Sequence, residues 1–284
     1  MADFSLSPAV SLPVSDDQLF VGLDLEGLKP PIVAHIEVLR ERVFESTKFL
    51  PQFDLLLSDL LQFHREVKPS QVVVSVERML LYGKNLFSPL FSHSKFISLD
   101  SSPKSADSRG AYNAQLVEDV RFIDQPCESI RCEPNNLRIA GSSADYILVP
   151  NLVHHVEDQQ GLWSEVSRVL KSGGMLYVFE PTIRELHQVP DDFLRYTPNG
   201  LKSTLAKFGF GEAKIRVTGG PFTAIAYCWN QALQYIHPDK RDDWSNWFEG
   251  HFKELTVLEN QFTKNLVRGH TSFPTAFSLL ATKS

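Results

Sequence analysis

Five short apolar runs constrain the fold of this chain more than any other feature of its sequence. They are rich in β-branched and other apolar residues, and they cover residues 71–77, 95–100, 120–123, 144–150 and 175–181. Near-continuous apolar runs of this length indicate strands that are buried on both faces, as in parallel sheets covered by helices. Because helix-like segments lie between most of the runs, we predict an α/β fold with a Rossmann-like, doubly wound, mostly parallel sheet.

Helical patterns flank the predicted sheet. Between residues 30 and 68, apolar residues recur three or four positions apart, and Pro51 divides this pattern into two amphipathic helices. We therefore predict a poorly ordered tail at 1–17, an N-terminal helical preface at 18–69 and an α/β domain at 70–284 with a C-terminal helical insert at about 221–266. The insert is rich in tryptophan, and it could form a substrate cap, an oligomer surface or ordinary core.

The charge and hydropathy of the chain argue against several classes of partner. A net charge of −6 and a pI of about 5.9 predict no general affinity for a nucleic-acid backbone. No apolar run approaches the ~20 residues needed to cross a bilayer, so no membrane partner is predicted. The three cysteines, Cys127, Cys132 and Cys228, have no zinc-site spacing. We therefore predict reduced thiols in a cytoplasmic protein, and no metal site.

The residues that directly follow the predicted strands are the candidates for a ligand site. In doubly wound sheets, ligands bind beyond the carboxyl ends of the strands. Glu77 and Asp100 end the first two runs, and the fourth run leads into Asn151, His154 and His155. The sequence therefore predicts a polar site at this edge of the sheet.

Three motifs, in order along the chain, carry a resemblance to a known family. The segment ADYILVPNLVHHVEDQQGLWSEVSRVLKSGGMLYVFEP begins at Ala144, and its RVLKSGG is similar to a turn usually written R-V-L-K-P-G-G, with Ser172 in place of proline. DDFLRYTPNGLKSTLAKFGF, which ends at Phe210, is similar to a D-x-x-R-x-T…GF stretch. Together they resemble the class I S-adenosylmethionine-dependent methyltransferases of the small-molecule and glycan-modifying branch.

This resemblance implies an antiparallel closing strand, S-adenosylmethionine as cofactor, and methyl transfer to a small metabolite or glycan precursor. Asp100, at the end of the second strand, would accept hydrogen bonds from the ribose hydroxyls, and Asn151 would lie beside the cofactor. Aligning VERMLLYGKN with the family's glycine-rich turn gives Glu77 the acidic position and Gly83 the last glycine, seventeen residues before Asp100.

Met79 and Leu81 stand where the family has the first two glycines of this turn. Side chains there would project toward the cofactor, and a positive φ at either residue would be costly. Two interpretations stay open: the turn follows another path and still binds the cofactor, or the chain is an inactive relative that binds a partner protein or another small ligand. A nucleotide-sugar in the same crevice is a third alternative, and assembly into a homo-oligomer stays open beside a partner protein.

Histidines close to the predicted ligand edge are the candidates for catalysis. His154 and His155 follow the fourth strand, and His187 follows the fifth. Near neutral pH, a histidine can take a proton from a hydroxyl or amine as the methyl group arrives. The substrate-binding candidates are Arg195, Tyr196 and Trp229. A buried pair between Asp191 and Arg195 is expected to fix the loop before the next helix.

Overall fold

The computed structural model describes residues 25–26, 28–30, 32–34, 36–37, 52–78, 87–101, 128–264 and 273–284. Several predictions concern residues outside these ranges and stay predictions. They are the tail at 1–17, the run at 120–123, Cys127, and the turn residues Met79, Leu81 and Gly83.

A seven-stranded sheet forms the centre of the described chain. Its strands are β1 (Val72–Glu77), β2 (Lys95–Asp100), β3 (Glu128–Arg131), β4 (Ala144–Pro150), β5 (Leu170–Pro181), β6 (Phe210–Thr218) and β7 (Ala276–Lys283). Their order across the sheet is β3-β2-β1-β4-β5-β7-β6, and β7 alone among these strands runs in the direction opposite to the other six. The predicted α/β fold, with its doubly wound, mostly parallel sheet and antiparallel closing strand, is confirmed.

Helices cover both faces of this sheet. They are α1 (Gln52–Glu66), the short α2 (Ser88–Leu90), α3 (Gln159–Val169), α4 (Pro198–Ala206), α5 (Pro221–Ala232) and α6 (Pro238–Lys264), with 3₁₀ turns at Val153–His155 and Leu233–Tyr235. Further helical residues lie at 30, 32–34 and 36–37. No helix in the described ranges combines the length and apolarity that a membrane crossing requires.

The two faces of the sheet belong to two separate cores because neighbouring strand residues point to opposite sides. On one face, the side chains of Val74, Ile147 and Val178 pack with α3 and α4. On the other, Val73 and Tyr177 pack with the apolar stripe of α1. Neither face of such a strand is exposed to solvent, so its sequence is a continuous run of apolar residues.

The sequence analysis did not identify the edge strand β3 (Glu128–Arg131), which pairs with β2. An edge strand contacts one neighbour only and can carry exposed polar side chains, so a search for apolar runs misses it. The predicted turn in RVLKSGG lies inside β5: Leu170 pairs with Ala144, and the register then shifts before Met175 pairs with Tyr146.

Asp59 connects the N-terminal helical region to the far side of the sheet. Tyr177 donates a hydrogen bond to Asp59 Oδ2 at 3.0 Å, and Arg216 of β6 forms an ion pair with Oδ1 of the same carboxylate. Burial raises the pKa of Asp59, while Arg216 opposes that shift. The carboxylate therefore holds α1, β5 and β6 together through polar contacts within an apolar layer.

We expect Asp59→Ala to lower the free energy of unfolding by about 2–4 kcal/mol, because it leaves the buried Tyr177 hydroxyl and Arg216 without this acceptor. Urea denaturation measures the change. Glu66→Ala, an exposed acid on the same helix, is the control and should change the free energy by less than about 0.5 kcal/mol. Equal effects of the two substitutions would contradict this role for Asp59.

Candidate functional site

The candidate site lies at the carboxyl edge of the sheet, where the strand order reverses. β1 pairs with β2 on one side and with β4 on the other, so the connections that leave β1 and β4 diverge. This switch point is where open α/β sheets bind ligands. The predicted residues Glu77, Asp100 and Asn151 all stand at this edge.

Glu77 is a buried residue that accepts hydrogen bonds from the end of β2. Its side chain is fully buried, and Ser98 Oγ donates a hydrogen bond to Glu77 Oε1 at 2.7 Å. The main-chain amide and the hydroxyl of Ser101 each donate to the Glu77 carbonyl at 2.8 Å. Glu77 therefore couples the ends of β1 and β2.

Asp100 is the register partner of Glu77 on β2. It is 8% exposed, and its Oδ2 lies 3.8 Å from Nη1 of Arg131 at the end of β3, which is too long for a direct hydrogen bond. The neighbouring Cys132 is no competing nucleophile, because burial, followed by the charge of Asp100, raises the pKa of its thiol to about 12. Asp100 therefore places a carboxylate at the crevice.

Asn151 follows β4 with a left-handed backbone. Its φ is 51°, and its amide donates to the Phe179 carbonyl at 2.6 Å. Asparagine tolerates this conformation better than most residues, and backbone strain of this kind concentrates at functional sites. The chain thereby turns away from β4 directly above the switch point.

The three predicted catalytic histidines come together. The ring centroids are 4.0 Å apart for His154 and His155, 4.8 Å for His155 and His187, and 5.2 Å for His154 and His187. His154 and His155 lie on the 3₁₀ turn after β4, and His187 lies on the loop after β5. The loops that leave two neighbouring strands thus converge on one cluster.

Each histidine has an oxygen partner at Nδ1. His154 Nδ1 lies 2.6 Å from Glu180 Oε2, and His155 Nδ1 lies 2.5 Å from the Asp191 carbonyl. His187 Nδ1 lies 3.1 Å from the Glu185 carbonyl. These contacts fix the orientation of all three rings.

Burial controls the charge of two of these rings. It lowers the pKa of His155 to about 3, with the neighbouring His154 adding to the shift. Burial also lowers the pKa of His187, and the charge of Arg184 acts in the same direction. Both rings are therefore neutral at physiological pH, which leaves each of them a nitrogen lone pair.

The ion pairs of the loop after β5 differ from the predicted pair of Asp191 with Arg195. Arg195 instead binds the side chain of Asp192 through both terminal nitrogens, while Asp191 pairs with Nη2 of Arg78 at 2.8 Å. The difference arises because Asp191 points toward the end of β1. Arg195 also donates to the Glu185 carbonyl at 3.2 Å, and it thereby supports the histidine loop.

Arg78 is a site residue that the sequence analysis missed. Its side chain is 8% exposed, and Nε donates to Gln188 Oε1 at 2.9 Å in addition to the Asp191 pair. Arg78 thus links the end of β1 to the loop that carries His187. Its position directly after Glu77 could have identified it as a site residue. Its partner Asp191, 113 residues further along the chain, could not be identified from the sequence.

The remaining predicted substrate residues lie in different surroundings. Tyr196 packs against the core between the sheet and α3. Trp229, on α5, belongs to an aromatic cluster: its ring centroid lies 5.1 Å from that of Trp247 and 5.7 Å from that of Trp244. Neither residue has a described hydrogen bond to the histidine cluster, whereas Tyr227 of α5 donates to the Glu185 carboxylate on its loop.

An apolar cavity of about 580 Å³ lies beside α5. Its walls are formed by Ile183, Pro221, Ala224, Ile225, Cys228, Trp229, Ala232 and Phe273. Ile183 belongs to the loop that continues to His187, so the cavity and the histidine cluster share one segment of chain.

The comparisons with known proteins agree with this arrangement. A family model described as a methyltransferase domain matches residues 82–178. No curated protein matches the chain.

Several solved structures are similar to this chain at low sequence identity. For phosphoethanolamine N-methyltransferase 2 from Haemonchus contortus, solved with S-adenosyl-L-methionine, the identity is 13% and the TM-score 0.49, over 79% of this chain and 51% of that chain. This chain therefore spans about half the length of that enzyme. A SAM-dependent methyltransferase from Archaeoglobus fulgidus has 13% identity and a TM-score of 0.48, over 81% and 94% of the two chains.

A third solved structure is the geranyl diphosphate C-methyltransferase from Streptomyces coelicolor A3(2), with 12% identity and a TM-score of 0.45 over 80% of this chain and 79% of that chain. Over residues 82–178, this chain is similar to a methyltransferase domain.

Proposed function

We propose that this chain transfers a methyl group from S-adenosylmethionine to a small-molecule acceptor. The observation that carries the proposal is the pair of carboxylates, Glu77 and Asp100, at neighbouring strand ends beside the switch point. In this architecture a carboxylate at the end of the second strand binds ribose hydroxyls. The family match at residues 82–178 supports the same activity.

The residues at the crevice fit this cofactor. Asp100 stands at the end of β2, and its contact with the half-exposed Arg131 is 3.8 Å long, so ribose hydroxyls can compete with that contact for the carboxylate. Asn151 turns the chain away from the strand end and leaves room beside β4. When bound, S-adenosylmethionine supplies an electrophilic methyl group. The chain has to hold the acceptor in line with that group and exclude water.

The histidine cluster is proposed to receive the proton that an attacking hydroxyl or amine releases. His187 is the best placed of the three for this task, because its side chain is 15% exposed while His154 and His155 are almost fully buried. Its lowered pKa keeps the ring neutral, as a general base requires. Arg195 and Asp192 hold its loop, so we assign Arg195 a positioning role.

The cavity beside α5 is proposed to receive an apolar part of the acceptor. Its walls are entirely apolar apart from Cys228 and the Trp229 indole nitrogen, and ligand pockets of this kind recognise apolar groups by burial. An acceptor that carries an alkyl or aromatic group therefore fits better than a bare sugar. Trp229 keeps its predicted role in acceptor binding through this wall.

We expect S-adenosylhomocysteine to bind the full chain with micromolar affinity in calorimetric titration. Asp100→Asn should weaken this affinity by about 10- to 100-fold, since a charge-assisted hydrogen bond contributes about 1.5–3 kcal/mol. Asp242→Asn, an exposed acid on α6, is the matched control and should leave the affinity unchanged. Equal binding by all three proteins would contradict the role of Asp100.

The double variant Met79→Gly/Leu81→Gly distinguishes the remaining interpretations. If the unmodified chain does not bind and the double variant does, then the two side chains close the cofactor site and the proposal of methyl transfer fails. If neither protein binds, the same conclusion holds, and a nucleotide-sugar or a protein partner becomes the better candidate.

A large side chain inside the cavity should weaken the binding of apolar ligands and leave the binding of the cofactor unchanged. Cys228→Phe places a large side chain in the cavity from an exposed position, so we expect about tenfold weaker binding of an apolar fluorescent dye. Cys228→Ser keeps the volume and serves as the control. Unchanged dye affinity in Cys228→Phe would show that the dye, and by inference the acceptor, binds elsewhere.

A further inference from the structure

We propose that His154, His155 and His187 form a binding site for one divalent transition-metal ion of the zinc type. One ring nitrogen from each histidine lies within 4.8 Å of one ring nitrogen of the other two. Three imidazoles are a ligand set that zinc accepts in proteins. The sequence spacing alone predicted no metal site, because two ligands are adjacent in the chain and the third is more than thirty residues away.

The nitrogens that would bind the ion follow from the hydrogen bonds. Nδ1 of His155 and Nδ1 of His187 contact main-chain carbonyls, which can only accept, so these nitrogens carry the proton. Nδ1 of His154 contacts the Glu180 carboxylate in the same way. In a neutral ring the other nitrogen then has a lone pair, and the three Nε2 atoms are left as ligands.

The spacing of two of these atoms matches a metal site. Nε2 of His154 lies 3.4 Å from Nε2 of His187. This contact is long for a hydrogen bond between two rings, and a cation bound by both nitrogens would replace it. With Zn–N bonds of about 2.0–2.1 Å, tetrahedral geometry separates two ligand nitrogens by about 3.3 Å. The third ring has a nitrogen within 4.8 Å of one nitrogen of each of the other two, so it has to move by up to about 1.5 Å to reach the tetrahedral spacing.

The partners of the rings resemble the surroundings of metal-binding histidines. Such histidines usually donate the second ring N–H to a carboxylate or a carbonyl, which orients the ring. Glu180 accepts from His154 through one carboxylate oxygen, and its other oxygen accepts from the Val153 amide at 2.7 Å. Asp192, whose side chain is 1% exposed and bound by Arg195, lies 3.2 Å from His187 Nδ1.

Three protein nitrogens leave one tetrahedral position open, as in catalytic rather than structural zinc sites. His187 is the ligand with solvent access, so the open position is expected on its side of the cluster, where water or another small oxygen ligand can bind. The inference does not depend on the proposed methyl transfer, because metal binding is measured without cofactor or acceptor.

The test is a titration of Zn²⁺ into the full chain after treatment with a chelator, with a chromophoric chelator as competitor. We expect one ion per chain at micromolar or tighter affinity. We expect at least about a 100-fold loss of affinity in His187→Gln, because a ligand is removed. His237→Gln, at an exposed position with a 74% exposed side chain, is the matched control and should bind as the unmodified chain does.

A second measurement distinguishes the loss of a metal ligand from misfolding of the variant. Zn²⁺ should raise the melting temperature of the unmodified chain and of His237→Gln, and Co²⁺ should give the visible absorption of a tetrahedral nitrogen site. Absence of binding to the unmodified chain would overturn the proposal. Retention of full affinity in a folded His187→Gln would also overturn it, because the ion would then bind at another place.

Discussion

The parallel pairing of β1 with both β2 and β4 is the constraint on which the rest of this structure depends. It buries β1 on both edges and both faces, and it brings Glu77 into register with Asp100. Because the chain leaves β1 toward β2 and leaves β4 toward β5, the two connections diverge, and a crevice opens between the ends of β1 and β4. The carboxylates and the residues after β4 face that crevice as a consequence of strand order.

A network of ion pairs then holds the loop after β5 against this edge. Arg78 extends from the end of β1 to Asp191, and Asp192 pairs with Arg195 on the same loop. Tyr227 attaches α5 to the loop through Glu185. Pairs with one or both partners largely removed from water tolerate the loss of a member poorly, so they specify one path for the loop and one place for His187.

The histidine cluster can serve the two proposals in different ways. As a general base, His187 needs a free lone pair near the acceptor; as a metal ligand, it shares that lone pair with an ion. Both uses rely on the same geometry, in which oxygen acceptors hold Nδ1 of each ring. The metal titration therefore also decides which kind of proton chemistry the cluster can support.

The amino-acid sequence by itself determined the architecture and the candidate ligand edge of this protein. Buried strands have to be apolar on both faces, so their runs are visible, and the end of a strand indicates where Glu77 and Asp100 lie. The edge strand β3 was missed because an edge has no such requirement. Only the tertiary structure decided that Arg78 pairs with Asp191 and that His187 meets His154 and His155. Those contacts depend on the path of a loop, which is set by partners distant in sequence and leaves no periodic pattern in the chain.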